Sequence, residues 1–414
     1  PIRHHRQRKT MSGKKRKKAQ QSRRPFDTTE LFETAYSHHI KGDYAKAEEG
    51  YARIIRMDPK HSNALNLLGT IFLERGECDK ALELIQKAVK AYPLGAMFHN
   101  NLGNVFRKMG LEKDAEKAYR EALRVDPGCV SASNNLGTIL QDQGDMQGAI
   151  DCYEKAHRKD PGFAPAYYNL GRVFCEQGRI DTSIWAYREA LKINPGFYDA
   201  FSNLLYTYHF NDQETPETIF DAHRVWAETF ARPHYPVNPA WDNDRDPDRK
   251  LRVGFVSPDF RTHSVAFFLE DVFAHRNRER IEVACYSNTE KQDQFTQRFR
   301  ELTDVWRDIT VLSDDEAAQV IREDRIDILV DLAGHTRGSR LLIFARKPAP
   351  VQVTWLGYPD TTGLDTMDYR LTDAIADPPD ASDHLATETL VRLDGGFLCY
   401  RPSGETFPVS PSPA

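Results

Sequence analysis

The chain has 414 residues, 40% hydrophobic and 28% charged, which is enough for two to three domains with sizeable cores. No apolar run reaches the ~18–20 residues that cross a bilayer, and the basic N-terminus lacks an apolar core, so neither a membrane-spanning helix nor a classical secretory leader is expected. The net charge of −5 conceals an asymmetry: residues 1–24 hold 11 Lys or Arg and no acid, leaving 45 basic against 61 acidic residues in the remainder. An acidic body argues against nucleic acid as the main ligand. Six scattered cysteines without a C-x-x-C pair fit neither a zinc module nor a disulfide scaffold, and suit a reducing compartment.

Residues 1–27 read as a disordered, solubilising basic tail. The run Lys14-Lys15-Arg16-Lys17-Lys18 is open to a second reading, a nuclear address or a polyanion contact. From about 28 to 197 the sequence repeats. Prolines 59, 93, 127, 161 and 195 recur at a spacing of 34, in phase with Gly69, Gly103, Gly137 and Gly171 and with Gly42, Gly76, Gly110, Gly144 and Gly178. An aromatic column, Tyr51, Tyr119, Tyr153 and Tyr187, keeps the same step. The period predicts five helix pairs of the tetratricopeptide type stacked into an α-solenoid with a long groove. Asn101, Asn135, Asn169 and Asn203 recur at one position of successive units. An amide both donates and accepts, so these four are candidate contacts to the backbone of an extended acceptor peptide, with bonding between neighbouring helices as the alternative. The repeats also offer a surface for self-association.

Residues 198–250 read as capping helices followed by a Pro- and Asp-rich linker. The Asp-x-Asp triplets at 242–246 lack a flanking strand and are not read as a metal site, and no metal is expected elsewhere. From 251 to 399 the pattern changes to short β-branched runs, Leu251–Ser257, Ile281–Ser287, Ile326–Ala333 and Val351–Tyr358, alternating with amphipathic segments. This predicts an α/β Rossmann-like lobe with a parallel sheet, whose ligands sit beyond the carboxyl ends of the strands. Three polar, glycine-punctuated loops fall at that edge: Ser257–His263, Gly334–Gly338 and Gly357–Gly363.

The helical array followed by GFVSPDFRTHSV, ILVDLAGHTRG, KPAPVQVTWLGYPDTTG and MDYRLTD resembles the O-linked N-acetylglucosamine transferases of glycosyltransferase family 41 in a bacterial-type form, together with the SPINDLY-type protein O-fucosyltransferases. The resemblance implies the first half of a GT-B fold and transfer of N-acetylglucosamine from UDP-GlcNAc to Ser/Thr hydroxyls of intracellular proteins. That transfer is inverting and metal-independent, with no resident cofactor, and acceptor proteins bind in the repeat groove. GDP-fucose as donor and a non-catalytic adaptor remain alternatives. His263 is placed beside acceptor and sugar as candidate base, with helix capping as its alternative. Asp331 and His335 form a second candidate catalytic pair, with Asp331 as a plain cap for the next turn as the alternative. Thr361, Thr362 and Gly363 are expected to shape the cleft floor. In the family the second lobe carries most of the donor site, so residues 400–414 are read as the start of an inter-lobe linker and the record as truncated. A cytoplasmic protein is expected, nuclear if eukaryotic, with no membrane partner.

Overall fold

A computed structural model describes residues 28–400, so the basic tail and the Pro/Ser-rich end lie outside the described residues. The chain forms two compact units, residues 1–136 and 137–414. In the first unit the helices pair as α1 and α2 (Thr28–Ile40, Tyr44–Met57), α3 and α4 (Ser62–Glu74, Cys78–Ala91), and α5 and α6 (Ala96–Lys108, Glu112–Val125). The division falls inside α7 (Val130–Asp142). The second unit continues with α8 (Met146–Lys159), α9 (Ala164–Glu176), α10 (Ile180–Ile193), α11 (Tyr198–Tyr208) and α12 (Pro216–Trp226).

The repeated residues act locally and identically in each pair. The turn glycines 42, 76, 110, 144 and 178 have φ between +70° and +85°, a region costly for any side chain with a Cβ. Three of the packing glycines receive a tyrosine ring from the pair's second helix: a Cβ on Gly103 would lie 2.5 Å from the Tyr119 ring, and one on Gly171 2.6 Å from the Tyr187 ring, while Gly69 receives Ile85. The glycine column thus accommodates the tyrosine column.

Seven parallel strands follow: β1 (Leu251–Ser257), β2 (Ile281–Ser287), β3 (Val305–Asp308), β4 (Ile328–Asp331), β5 (Val351–Thr354), β6 (Tyr369–Thr372) and β7 (Thr389–Arg392). Their order is β3-β2-β1-β4-β5-β6-β7. The sequence reading found four of them. The missed strands β3, β6 and β7 have four residues each and, unlike the equally short β4 and β5, do not lie inside a longer apolar run. The chain builds outward from β1 to β3, returns past it to β4, and continues to β7. The order therefore reverses between β1 and β4, where doubly wound sheets bind their ligands.

Side chains alternate between the sheet's two faces, as a pleat requires. Phe255, Val283, Cys285 and Val330 pack under α13 (Ser264–His275) and α14 (Gln294–Leu302) through Leu269, Phe273 and Phe299. Val256, Ala284, Tyr286 and Leu329 face the other way, toward α15 (Asp314–Glu323) and α16 (Leu341–Ala345). That second core also contains Tyr187, Leu204, Leu205, Ile219 and Trp226. Helices α11 and α12, read from the sequence as capping helices, are therefore part of the layer covering the sheet. The following segment is also bonded to the lobe. Trp241 Nε1 donates to the Lys347 carbonyl at 3.3 Å, and Arg249 grips Asp327 through two hydrogen bonds of 2.6 Å. Asp244 and Asp246 accept hydrogen bonds from the backbone two residues on, at 3.0 and 2.9 Å, so the Asp-x-Asp triplets form turns.

Candidate functional site

At the switch point the loops after β1, β2, β4 and β5, together with Asn203 and Tyr206 of α11, surround a cleft of about 680 Å³. Its wall includes Asp259, Arg261, His263, Asn288, Lys291, His335 and Arg337. Lys291 and Arg337 are exposed and form no ion pair among the described residues.

His263 takes the capping role and also borders the cleft. It is the N-cap of α13, its Nδ1 accepting the Val265 N–H at 3.3 Å, and its half-exposed ring lines the cleft. The same Nδ1 lies 3.7 Å from Asp259 Oδ2. Asp259 is buried, and burial raises its pKa while His263 and Arg261 pull it back down. Asp259 sits in the first loop motif, yet only the fold shows that it faces the histidine.

Asp331 and His335 do not pair, which corrects their reading as a catalytic couple. The Asp331 carboxylate accepts from the N–H of Ala333 and Gly334 (3.2 and 2.8 Å) and from Thr354 Oγ1 (2.9 Å), so it closes the turn after β4. Burial pushes it up to about 6. His335 bonds through Nε2 to the Thr362 carbonyl at 2.9 Å. A carbonyl only accepts, so Nε2 carries the proton and Nδ1 is left as a bare acceptor. Burial holds this imidazole well below its ordinary pKa.

Thr361 and Thr362 are fully buried and turned away from the cleft, a second correction. Thr361 Oγ1 donates to Glu388 Oε2 at 2.6 Å and the Thr362 N–H to Glu388 Oε1 at 2.7 Å, locking this loop to the segment entering β7. Gly363, at φ +76°, lies against α12: a Cβ there would meet the His223 carbonyl at 2.6 Å.

The asparagine column is largely spent on the fold. In the first unit Asn101 Nδ2 donates to Asn66 Oδ1, and Asn135 Nδ2 to both Asn100 Oδ1 and Asn104 Oδ1, all at 3.0 Å. In the second unit Asn169 is buried, and Asn203 Nδ2 lies 3.4 Å from the Tyr168 hydroxyl. Asn101, Asn135 and Asn203 thus bond to side chains of neighbouring repeats, the alternative reading. Asn203 alone of the four borders the cleft.

A cluster the sequence reading missed lies beneath the cleft. His223 donates Nδ1–H to the Ile219 carbonyl at 2.7 Å, so its Nε2 accepts from the Tyr358 hydroxyl at 2.8 Å. Tyr358 in turn accepts from His209 Nε2 at 3.1 Å, and His209 lies 3.7 Å from Asp360. His209, His223 and Asp360 have the residue types of a metal site. The Nε2 atoms of both histidines are hydrogen-bonded to the Tyr358 hydroxyl, and both nitrogens of His223 are taken up within the fold. The cluster instead fastens α11 and α12 to the loop after β5. Nothing marks it in the sequence, since its members His209 and Asp360 are 151 residues apart.

Helical repeats leading into a doubly wound parallel lobe, with a cationic cleft at the switch point, define a repeat protein carrying a ligand-binding α/β lobe. Residues 230–399 match glycosyl transferase family 41, while 33–96, 100–164 and 140–205 match the tetratricopeptide repeat. The α/β lobe is thus similar to glycosyl transferase family 41, and the helical array to tetratricopeptide repeats. A tomato (Solanum lycopersicum) relative named as a probable UDP-N-acetylglucosamine–peptide N-acetylglucosaminyltransferase SPINDLY is 46% identical over 214 residues, covering 51% of this chain and 23% of its own length. The Arabidopsis thaliana relative of that activity named SEC is 38% identical over 146 residues, 35% of this chain and 15% of its own. The matches thus span under a quarter of these relatives. A solved mutant of the Thermobaculum terrenum O-GlcNAc transferase aligns with a TM-score of 0.72 at 37% identity, covering 77% of this chain and 61% of that one. No helix among the described residues is long and apolar enough to cross a membrane.

Proposed function

We propose that the protein is a protein O-glycosyltransferase that moves N-acetylglucosamine from UDP-GlcNAc to Ser/Thr hydroxyls of cytoplasmic acceptor proteins, with inversion at the anomeric carbon. The observation that carries this reading is the switch-point cleft, with His263 and three cationic side chains on its wall, in a lobe that matches glycosyl transferase family 41. The acceptor oxygen bonds to the anomeric carbon, the bond from that carbon to the phosphate oxygen breaks, and its electron pair leaves with UDP. The hydroxyl proton goes to His263 Nε2.

That last step sets a condition on the ring. While Nδ1 accepts from Val265, the single proton of neutral His263 sits on Nε2, which then cannot take another. Base function requires the proton on Nδ1, directed at Asp259 Oδ2, 3.7 Å away. Arg261, Lys291 and Arg337 supply positive charge for the departing diphosphate.

The test is transfer of labelled sugar by the full-length protein to an acceptor protein. UDP-GlcNAc and GDP-fucose are run in parallel: the printed names of the SPINDLY relatives carry UDP-N-acetylglucosamine, while the resemblance to SPINDLY-type O-fucosyltransferases makes a fucose donor the second reading. Transfer from UDP-GlcNAc supports the proposal, and transfer from GDP-fucose alone replaces the donor. Acceptor binding without transfer from either nucleotide sugar favours the adaptor reading.

A further inference from the structure

Two polar atoms on the cleft wall have no use in the fold. Asn288, the first residue after β2, donates Nδ2 to the Gly338 carbonyl at 2.7 Å. Because a carbonyl only accepts, this bond fixes the amide orientation and leaves Oδ1 as the acceptor still to be satisfied. Asn288 Oδ1 is buried and has no hydrogen-bond partner among the described residues. His335 is in the same condition: Nε2 is committed to the Thr362 carbonyl, and Nδ1 is buried and unpartnered. Both residues line the one cleft. Native folds leave few buried acceptors without a donor, and two at one ligand cleft call for a ligand that brings donors.

The neighbouring charges narrow the ligand chemistry. Arg261, Lys291 and Arg337 outnumber Asp259 and Glu290 on the same wall, which disfavours an ammonium donor. A phosphate dianion has no proton to give, and an acceptor serine or threonine brings one hydroxyl, which is consumed by the reaction. A pyranose carries several hydroxyls. We propose that Asn288 Oδ1, together with His335 Nδ1, receives hydroxyl groups of the donor sugar, so that Asn288 is a sugar-positioning residue of this lobe. This rests on the glycosyltransfer reading above and specifies which part of the donor the lobe holds.

The experiment is titration calorimetry of the full-length protein with UDP-GlcNAc and its 3-, 4- and 6-deoxy analogues, in the wild type and in Asn288→Ala. One net hydrogen bond corresponds to roughly three- to tenfold in affinity. The expected result is that one deoxy analogue binds the wild type that much more weakly than UDP-GlcNAc, and that this penalty shrinks below twofold in Asn288→Ala while the other analogues keep theirs. Unchanged penalties for all three analogues in Asn288→Ala overturn the assignment. So does a wild type that binds every deoxy analogue within twofold of UDP-GlcNAc, a measurement that does not depend on how the variant folds. A wild type that binds neither UDP-GlcNAc nor GDP-fucose overturns the glycosyltransfer reading itself, and this site with it.

Discussion

Replacing His263 with asparagine separates the two roles its geometry permits. As a cap, the ring contributes one 3.3 Å hydrogen bond to the Val265 N–H. Losing such a cap in His263→Ala costs about 1 kcal/mol, which lowers the melting temperature of a unit this size by roughly 2–4 °C. Asparagine is among the best capping residues, so His263→Asn should melt close to the wild type. As a base, the ring is worth about 10²–10⁴-fold in rate, or roughly 3–5 kcal/mol of barrier, which asparagine cannot supply. The base contribution therefore exceeds the cap contribution several-fold, and only the base contribution distinguishes asparagine from histidine. The assay pairs thermal melting with kcat/KM for labelled transfer from UDP-GlcNAc to a fixed acceptor protein. The expected outcome is a near-native melt with transfer down at least a hundredfold. A His263→Asn enzyme that keeps half the wild-type rate would falsify the base assignment and leave His263 as a cap.

Three further outcomes are expected. Gly171→Ala puts a Cβ 2.6 Å from the Tyr187 ring, an overpacking worth roughly 1–3 kcal/mol, and Tyr187→Leu in the same chain should recover part of the lost melting temperature; no loss in the single variant would contradict the ring-into-glycine packing. Asn135→Ala removes donors from Asn100 and Asn104 and should cost about 1–3 kcal/mol of first-unit stability, whereas an unchanged melt with weakened acceptor binding would return this residue to the groove. Acid should destabilise the second unit. Burial lowers His223 from 6.5 to about 4 and shifts His209 and His335 in the same direction, so the unfolded chain binds more protons below 6.5. The stability from these neutral rings is complete above pH 6.5 and is lost as pH falls through their folded values, with His223 alone accounting for about 3 kcal/mol. Asp331, raised from 3.8 to about 6, gains stability over part of the same range, one carboxyl opposing three histidines. Melting temperature should therefore fall between pH 6.5 and 4.5, and a flat or rising profile would contradict the buried neutral cluster.

The sequence by itself determined what depends on short-range order. A 34-residue period states the helix pairs because each pair closes its own turn at a positive-φ glycine, and three of them seat a tyrosine ring against a second glycine. The long β-branched runs state β1 and β2, and the polar loops after β1 and β4 already mark the sheet edge on which the cleft opens.

Only the tertiary structure decided how polar side chains are spent. Asn101 and Asn135 look like a ladder for a peptide, but their partners are asparagines 31–35 residues away in the neighbouring repeat. Asp331 satisfies its own turn and Thr354, while Thr361 and Thr362 turn inward to Glu388. Helices α11 and α12 became a wall of the lobe because Trp226, Ile219 and the His223–Tyr358–His209 chain find partners across the fold. Periodicity records which face of an element is buried. It carries no information on which distant atom a buried donor or acceptor meets, and in this protein that separates His263 and Asn288, on the cleft wall, from Asp331, Thr361 and Thr362, within the fold.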